Sequence, residues 1–424
     1  MNPLIRRIVA ALGANAFGQA TNIVIQLASL PLFLHQWNMS TYGTWLMLSA
    51  MPAYLSMADV GMVSTAGNRM TMAMGNGQVA QANAVFQSAL VFMLVACSGF
   101  AVLSLPAVMW APIPGLNTLD ERMALAALVC GVLLALFGGL AEAIFKATGR
   151  YALGTTLGTL IRFFEWAGFV LGLLVWGSFT AVALGGLCAR LLGVTAMGVL
   201  SRQNNQGLQW GTQHACLAEI RSMVKPAMSF MLFPLANAIS FQGITLLVGQ
   251  QFGPAMVALF NTYRTVARVA VQVTGTFGHA LWAEFSRLFG QGGAPAVAKM
   301  YRRSAWLGLG ISITLSMGLY VCGPLLLEVW THGVVPFEPV LMALLLAYAA
   351  VCGSWHVPRV LLMATNQHIG LAQWSLFAAS LAFVLSYFFG KVWGAAGIGL
   401  GMFLAEAVIA ILCGLIAHRL VRAS

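Results

Sequence analysis

The residues best suited to chemistry are polar and charged side chains that interrupt long apolar runs. Arg264, Arg268 and Gln272 follow one another at intervals of four, so they share one face of a helix. Two guanidinium groups in an apolar run are costly unless they meet water or an anion, and a guanidinium matches phosphate geometry. The spacing predicts a cavity wall that binds an anionic substrate. The alternative is a pair of structural arginines bonded to helix carbonyls or buried carboxylates.

A second polar face lies near the start of the chain. Asn15, Gln19, Asn22 and Gln26 are spaced by four, three and four residues, so these amides line one side of a helix. Amides that face lipid are costly. This face is therefore either bonded to neighbouring helices or forms the wall of a hydrated, substrate-binding cavity, and both interpretations fit the spacing.

Some acids lie within apolar runs, where a carboxylate can take up a proton or bind sodium during transport. Asp59, Glu142 and Glu406 are therefore the candidate ion-coupling residues. For Asp59, a role in helix packing with Arg69 as its partner fits equally.

A further pair, Arg162 and Glu165, lies three residues apart in another apolar run. Side chains at this spacing are neighbours on a helix. The two either neutralise each other or contribute to a cavity.

The elements that carry these residues must be membrane helices. Of the 424 residues 60% are hydrophobic and 7% charged, whereas soluble proteins have about 25% charged residues. We predict an all-α integral membrane protein with about twelve transmembrane helices, since each apolar run has about 20 residues. The predicted spans are residues 8–34, 42–68, 82–105, 123–146, 152–175, 179–201, 225–249, 256–283, 304–327, 338–362, 370–390 and 395–417.

The basic residues give the orientation of these spans. Lysines and arginines of the predicted loops concentrate on the side of the N-terminus, and Arg122 and Lys391 stand on the other side. Positive residues favour the cytoplasmic side. We therefore expect a multi-pass protein with both termini in the cytoplasm.

The chain repeats itself in two halves. Gly75–Gly77 matches Gly290–Gly292 at an offset of 215, and Phe145–Thr148 matches Leu362–Thr365 at an offset of 217. We expect two pseudo-equivalent six-helix lobes related by an axis along the membrane normal, with a central cavity between them. The expected lobes are residues 1–208 and 209–424.

The repeat also pairs charged residues of opposite sign. Arg190 corresponds to Glu406 at an offset of 216, and Glu142 corresponds to Arg359 at an offset of 217. This reversal either places opposite charges across the interface between the lobes or is a coincidence.

Motifs for enzymatic chemistry are missing from the sequence. It contains no GxxxxGK[ST] nucleotide loop, no HExxH motif and no CxxC pair. We expect no enzymatic activity, no cofactor and no metal site. The net charge of +11 is spread along the chain rather than clustered, so we expect no nucleic-acid partner.

One stretch carries a family resemblance. Tyr42-Gly43-Thr44-Trp45, then Met57-Ala58-Asp59-Val60-Gly61, then Asn68-Arg69 and Gly75 resemble the polysaccharide transporters of the multidrug/oligosaccharidyl-lipid/polysaccharide exporter superfamily, in particular the O-antigen (lipopolysaccharide) flippases. The motif match covers mainly residues 42–90, whereas the resemblance in span count and two-lobe organisation covers the whole chain.

The resemblance implies a function in lipopolysaccharide biosynthesis or polysaccharide export. Such proteins move an undecaprenyl-diphosphate-linked oligosaccharide, an O-antigen or exopolysaccharide repeat unit, from the cytoplasmic to the periplasmic leaflet of the bacterial inner membrane by alternating access. A proton or sodium gradient would drive the cycle. Membrane lipids and other polysaccharide-assembly proteins are the expected partners. The cationic cavity expected in this family would be supplied by Arg264, Arg268, Arg162, Arg190 and Arg359.

Two other functions remain open. The first is an ion-coupled small-molecule or drug antiporter of the same superfamily, which the scarcity of acids disfavours. The second is a membrane glycan polymerase or ligase, which would need a catalytic loop on the outside. The predicted outside loops are short, so this enzyme class is the least favoured.

Overall fold

The computed structural model describes residues 3–57, 59–112, 116–203, 207–282, 285, 294–364 and 368–423. All regular structure within these residues is helical, which confirms the predicted all-α class. The Gly290–Gly292 half of the repeat, together with Ala58 and Thr365, lies outside the described residues.

The first half of the chain forms long helices separated by short turns. A 3₁₀ turn at Pro52–Met57 separates the second helix from the third. The helices are α1 (Pro3–Gln36), α2 (Met39–Ala50), α3 (Met62–Gly75), α4 (Val79–Trp110), α5 (Leu119–Ala147), α6 (Tyr151–Val175) and α7 (Phe179–Gln203).

The second half contains more interruptions. A π turn at Ile239–Gly243 joins its first two helices, and the last helix is broken at Trp393 and Gly394, whose backbone angles are not helical. The helices are α8 (Leu217–Ala238), α9 (Ile244–Phe252), α10 (Pro254–Ala280), α11 (Ala294–Val321), α12 (Gly323–Thr331), α13 (Pro339–Ser354), α14 (His356–Ala364) and α15 (His368–Ala423).

Every predicted span coincides with helix in the described residues. Eight helical stretches there are long and apolar enough, by length and composition, to cross a membrane. Of the other predicted spans, two are assembled from shorter pieces, α2 with α3 and α8 with α9, and the span at 256–283 lies mainly in the single helix α10. The break in α15 falls between the last two predicted spans.

The described chain divides into two compact units. The first contains Met1–Asn38 and Leu48–Met231, and the second contains Met39–Met47 and Leu232–Ser424. Residues 209–231 therefore group with the first unit. The expected lobe boundary at residue 208 remains a prediction about the repeat.

Buried polar side chains of α4 explain why the segment after α7 belongs to the first unit. The Asn83 amide donates to the carbonyl of Gly207 at 2.8 Å and accepts from the N–H of Gln209 at 2.7 Å. The Gln87 amide donates to the Gln209 carbonyl at 3.0 Å and accepts from the His214 N–H at 2.6 Å. Since unpaired polar groups are costly in the interior, these bonds hold the segment along α4.

Close backbone packing explains why the start of α2 belongs to the second unit. Gly43 lies against the backbone carbonyl of Pro254 at the start of α10, and a Cβ at Gly43 would overlap that carbonyl. Met47 packs in the same way over Gly249. Tyr42 and Trp45 on either side of Gly43 are buried. The Tyr-Gly-x-Trp stretch of the sequence is thus a packing motif of this unit.

Candidate functional site

The second unit encloses a polar cavity of about 190 Å³. Helices α8, α13, α14 and α15 supply its walls. Trp355 donates its indole N–H to the carboxylate of Glu406 at 2.8 Å. The guanidinium of Arg359 lies 5.6 Å from the centre of the Trp355 ring. The cavity's polar lining residues are Asn237, Ser240, Tyr348, Cys352, His356, Arg359, Ser375 and Glu406.

Arg264 is buried next to this cavity and is bonded to the helix that lines it. Its guanidinium donates to the carbonyl of Phe241 at 3.0 Å, to the hydroxyl of Thr245 at 2.7 Å and to the side chain of Asn261. The Phe241 carbonyl belongs to the π turn, a type of interruption frequent at functional sites. These contacts match the structural alternative for Arg264, an arginine bonded to helix carbonyls.

Arg268 has a different environment. Its guanidinium lies 4.6 Å from the centre of the Phe241 ring, which faces the cavity. Its Nε atom is buried and has no hydrogen-bond partner within the described residues. Neither Arg264 nor Arg268 has a carboxylate within ion-pair distance in that part of the chain. Gln272 lies half-buried one turn further along α10. Arg268 therefore fits the predicted anion-facing role better than Arg264.

The first unit encloses a cavity of about 170 Å³ among α5, α6 and α7, which Glu142, Arg162 and Arg190 line. The Glu142 carboxylate accepts a hydrogen bond from the Thr155 hydroxyl at 3.2 Å. Arg162 donates to the Asn22 side chain at 3.0 Å. The charged residues of this cavity therefore bond to neighbouring helices, Glu142 to α6 and Arg162 to α1.

Of the two alternatives for Arg162 and Glu165, a direct ion pair between them is not found among the described residues. Glu165 forms an ion pair with Arg190 of α7 instead, and Arg190 also donates to the carbonyl of Gly131 at 3.2 Å. Glu165 bonds to a residue of the next helix rather than to Arg162, three residues away on its own helix, because α6 and α7 pack closely along their length.

The amide row of α1 faces α6. Besides the bond between Asn22 and Arg162, the Asn15 amide oxygen accepts from the Tyr151 hydroxyl at 3.3 Å. Gln26 is half-buried and has a bonded partner, whereas Gln19 is exposed. Interhelical hydrogen bonding therefore describes Asn15 and Asn22.

Asp59 lies just before helix α3, whose N-cap residue is Gly61. Its carboxylate accepts from the N–H groups of Gly61 at 3.0 Å and Val63 at 3.3 Å, donors that a helix start leaves unpaired. Arg69 pairs with Glu219 at 3.1 Å rather than with Asp59. The contacts of Asp59 are those of a helix cap, and its ion-coupling role stays a prediction.

The two cavities correspond to each other through the sequence repeat. The reversed charges lie within each unit: Glu142 and Arg190 line the first cavity, and Arg359 and Glu406 line the second. The same offset of 217 relates further lining residues. They are Ala135 and Cys352, Gly138 and Trp355, Gly139 and His356, Gly158 and Ser375, Ile161 and Ala378, and Arg162 and Ala379.

Sequence reasoning missed several of these residues. Asn237 was detectable, because it corresponds to Asn22 at the offset of 215 found for the first repeat match. Trp355 and Tyr348 gave no signal, since an aromatic residue in an apolar run is ordinary. No group of three or more His, Cys, Asp or Glu side chains suited to a metal occurs in the described chain.

Comparison with solved structures relates the chain to one group of transporters. A multidrug resistance MATE family transporter of the MOP superfamily, in an inward-facing conformation, matches with a TM-score of 0.75 over 95% of both chains at 13% identity. The chain has the fold of the MATE transporters. The outward-facing conformation of such a transporter matches with a TM-score of 0.67, at 13% identity, over 98% of this chain and 96% of that one.

A further match is to a transporter with a binding pocket of reversed polarity. A MOP superfamily transporter from Pyrococcus furiosus, whose reversed pocket polarity is described as suggesting a different function, matches with a TM-score of 0.67 at 13% identity. The match covers 98% of this chain and 96% of that one. No family model matches the chain, and no curated protein matches it. The MATE fold confirms the predicted two-lobed, helical membrane architecture.

Proposed function

We propose that the protein is an ion-coupled antiporter that exports a small amphipathic molecule across the cytoplasmic membrane of a bacterium, with both termini in the cytoplasm. The likeness to multidrug MATE transporters along nearly the whole chain carries this proposal. It places the drug-antiporter function ahead of the lipid-linked oligosaccharide function that the sequence motifs favoured. MATE-fold neighbours are solved in inward-facing and outward-facing states, which supports an alternating-access cycle.

Glu406 is the proposed coupling residue. Its carboxylate faces the cavity of the second unit, whose polar lining groups and room for water allow it to exchange a cation with water. Coupling requires a group whose charge state changes within the protein, and a carboxylate in an apolar span is suited to this. Glu142, at the corresponding cavity of the first unit, is the second candidate.

The test is transport in proteoliposomes. Proteoliposomes that contain the purified wild-type protein should take up a fluorescent cationic dye, and this uptake should depend on an imposed proton or sodium gradient. Glu406→Gln should keep the protein folded and remove that dependence, because the amide cannot change charge. Glu328→Gln on α12, an exposed acid, is the matched control. Gradient-dependent transport by Glu406→Gln at the wild-type rate would exclude Glu406 as the coupling residue.

A flippase for lipid-linked oligosaccharides is the second candidate, and Arg268 is the observation that favours it. Arg268 is half-buried, its Nε is buried without a hydrogen-bond partner among the described residues, and it has no acid partner there. Such a guanidinium suits a phosphate better than a cationic drug. The resemblance of residues 42–90 to the O-antigen flippases supports the same substrate. Other polysaccharide-assembly proteins would then be its partners.

The two candidates are separated by substrate. In the same proteoliposomes, a flippase should move a fluorescent undecaprenyl-diphosphate oligosaccharide between leaflets, and Arg268→Gln should abolish that movement. Arg302→Gln, an exposed arginine of α11, is the matched control. Dye transport without movement of the lipid-linked glycan would establish the antiporter, and the reverse result would establish the flippase.

A further inference from the structure

The first unit also has an apolar groove between α6 and α7, which shares Ile161 and Met197 with the polar cavity of that unit. It has a volume of about 620 Å³ and, apart from the thiol of Cys188, apolar side chains line it. The lining residues are Leu157, Leu160, Ile161, Phe164, Ala167, Gly168, Leu171, Gly185, Cys188, Ala189, Leu192, Gly193, Ala196, Met197 and Leu200.

Glycines form the floor of this groove. Gly168 and Gly185 face each other so closely that a Cβ on either would overlap the backbone of the other helix. Gly193 receives the side chain of Ile161. Small residues of this kind let membrane helices approach closely, and here they leave the larger side chains standing on both rims.

The rims of the groove are exposed. The exposed fractions are 56% for Phe164, 61% for Leu171 and 71% for Leu192. Both helices are long and apolar enough to cross a membrane, so the medium around these rims is hydrocarbon. The occupant must then be a hydrocarbon chain that gains more contacts in the groove than among its neighbours in the bilayer.

The dimensions suit one acyl chain. The groove residues of α6 run from Leu157 to Leu171, a rise of about 21 Å at ~1.5 Å per residue. Half of the hydrocarbon layer is about 15 Å thick. A full acyl chain of one leaflet therefore fits along the groove.

The ends of the groove differ in charge. Arg150 immediately precedes α6, and Arg202 lies two residues beyond Leu200 in the last turn of α7; both are exposed. Residues 171–185 at the other end contain no charged side chain. Basic residues next to a membrane surface attract anionic headgroups, so the arginine end selects both the leaflet and the headgroup.

We propose that the groove between α6 and α7 binds one acyl chain of an anionic phospholipid, whose phosphate lies near Arg150 and Arg202 on the side of the N-terminus. The proposed lipid site involves neither the exported substrate nor the coupling ion. The site therefore stands whether the protein is an antiporter or a flippase.

Native mass spectrometry of the full-length protein tests the proposal, with phosphatidylglycerol and phosphatidylcholine as competing lipids. The wild type should retain phosphatidylglycerol preferentially, and Arg150→Gln with Arg202→Gln should reduce that preference about thirtyfold, at about 1 kcal/mol per basic residue. Cys188→Trp should remove one bound lipid by filling the groove. Val199→Trp, at an exposed α7 position that does not line the groove, is the matched control.

A second readout does not depend on the folding of Cys188→Trp. In a variant with Cys216→Ser and Cys322→Ser, which removes two other exposed thiols, phosphatidylglycerol should slow alkylation of Cys188 by an apolar maleimide severalfold. Equal retention of both lipids by the wild type would overturn the proposal. So would unchanged alkylation, or a preference for undecaprenyl phosphate over phosphatidylglycerol.

Discussion

At the scale of single residues, partner choice distinguishes structural charges from functional ones. Arg190 pairs with Glu165, and Arg264 bonds to the π turn of the second unit. The Nε atoms of Arg190 and Arg268 are both buried without a hydrogen-bond partner among the described residues, but Arg268 also has no ion pair with a carboxylate there, and Glu406 faces a cavity. The groups that retain unused bonding capacity are the ones that a substrate or ion can engage.

The pair Arg190–Glu165 gives a prediction about stability. Arg190→Met should destabilise the protein by about 3 kcal/mol, because it leaves a largely buried carboxylate unpaired. The double variant with Glu165→Met should recover much of that loss. Thermal unfolding in detergent measures both. Arg69→Met, at a more exposed pair with Glu219, should cost at most about 1 kcal/mol; equal losses at the two pairs would contradict the assignment.

Arg264 and Arg268 should respond differently to neutralisation. Arg264→Met removes three donated hydrogen bonds and should lower the unfolding temperature, since the Thr245 and Asn261 acceptors lose their charged donor. Arg268→Met should change the unfolding temperature little and reduce transport more. Parallel thermal unfolding and transport assays give the comparison. If Arg268→Met is the less stable variant, the division of roles between the two arginines is wrong.

At the scale of elements, short segments are fixed by contacts that their own sequence does not reveal. The start of α2 belongs to the second unit because Gly43 packs on Pro254. The segment after α7 belongs to the first unit because Asn83 and Gln87 bind its backbone. The start of α2 lies where the chain passes from one unit to the other, whereas the segment after α7 precedes the passage into the second unit after Met231.

Gly43 provides the test for α2. Gly43→Ala should destabilise the protein by about 1–3 kcal/mol, because the added methyl overlaps the Pro254 carbonyl and backbone cannot easily move aside. Thermal unfolding is the measurement. Gly13→Ala in α1, where a Cβ would meet open space, should be neutral. A neutral Gly43→Ala would show that α2 does not pack as described.

Asn83 provides the test for the segment after α7. Asn83→Ala should increase the rate at which a protease cleaves between residues 207 and 216, because the backbone loses two hydrogen bonds to α4. Gln81→Ala, an exposed amide on the same helix, is the control. Equal cleavage of the two variants would mean that the bonds of Asn83 do not hold the segment.

At the scale of the whole molecule, the repeat appears in the residues that line the cavities as well as in the number of predicted spans. Each unit contains a polar cavity, and residues at corresponding sequence positions line the two cavities. At two of these positions an acidic residue in one unit corresponds to a basic residue in the other. Arg162 has an alanine counterpart in the second unit, so the two cavities differ in composition. The two units thus have cavities at corresponding sequence positions, but the linings of these cavities differ.

The even number of predicted spans gives a prediction about topology. Green fluorescent protein fused to either terminus should fluoresce, because both ends should lie in the cytoplasm. A cysteine introduced at Lys391, a residue of the opposite side, should react with an impermeant maleimide added to intact cells after outer-membrane permeabilisation. Fluorescence from only one terminal fusion would require an odd number of spans.

The sequence by itself determined the helical class, the positions of the spans and the repeat, because spans in lipid must be apolar and must satisfy their own backbone. It also identified the charged residues that line both cavities. Only the tertiary structure decided which charges pair. Arg162 and Glu165 are neighbours in sequence, yet Glu165 bonds to Arg190 and Arg162 to Asn22, since bonding partners depend on which helix faces pack together. The spacing of residues in the sequence shows which of them share a helix face, but not which neighbouring helix packs against that face.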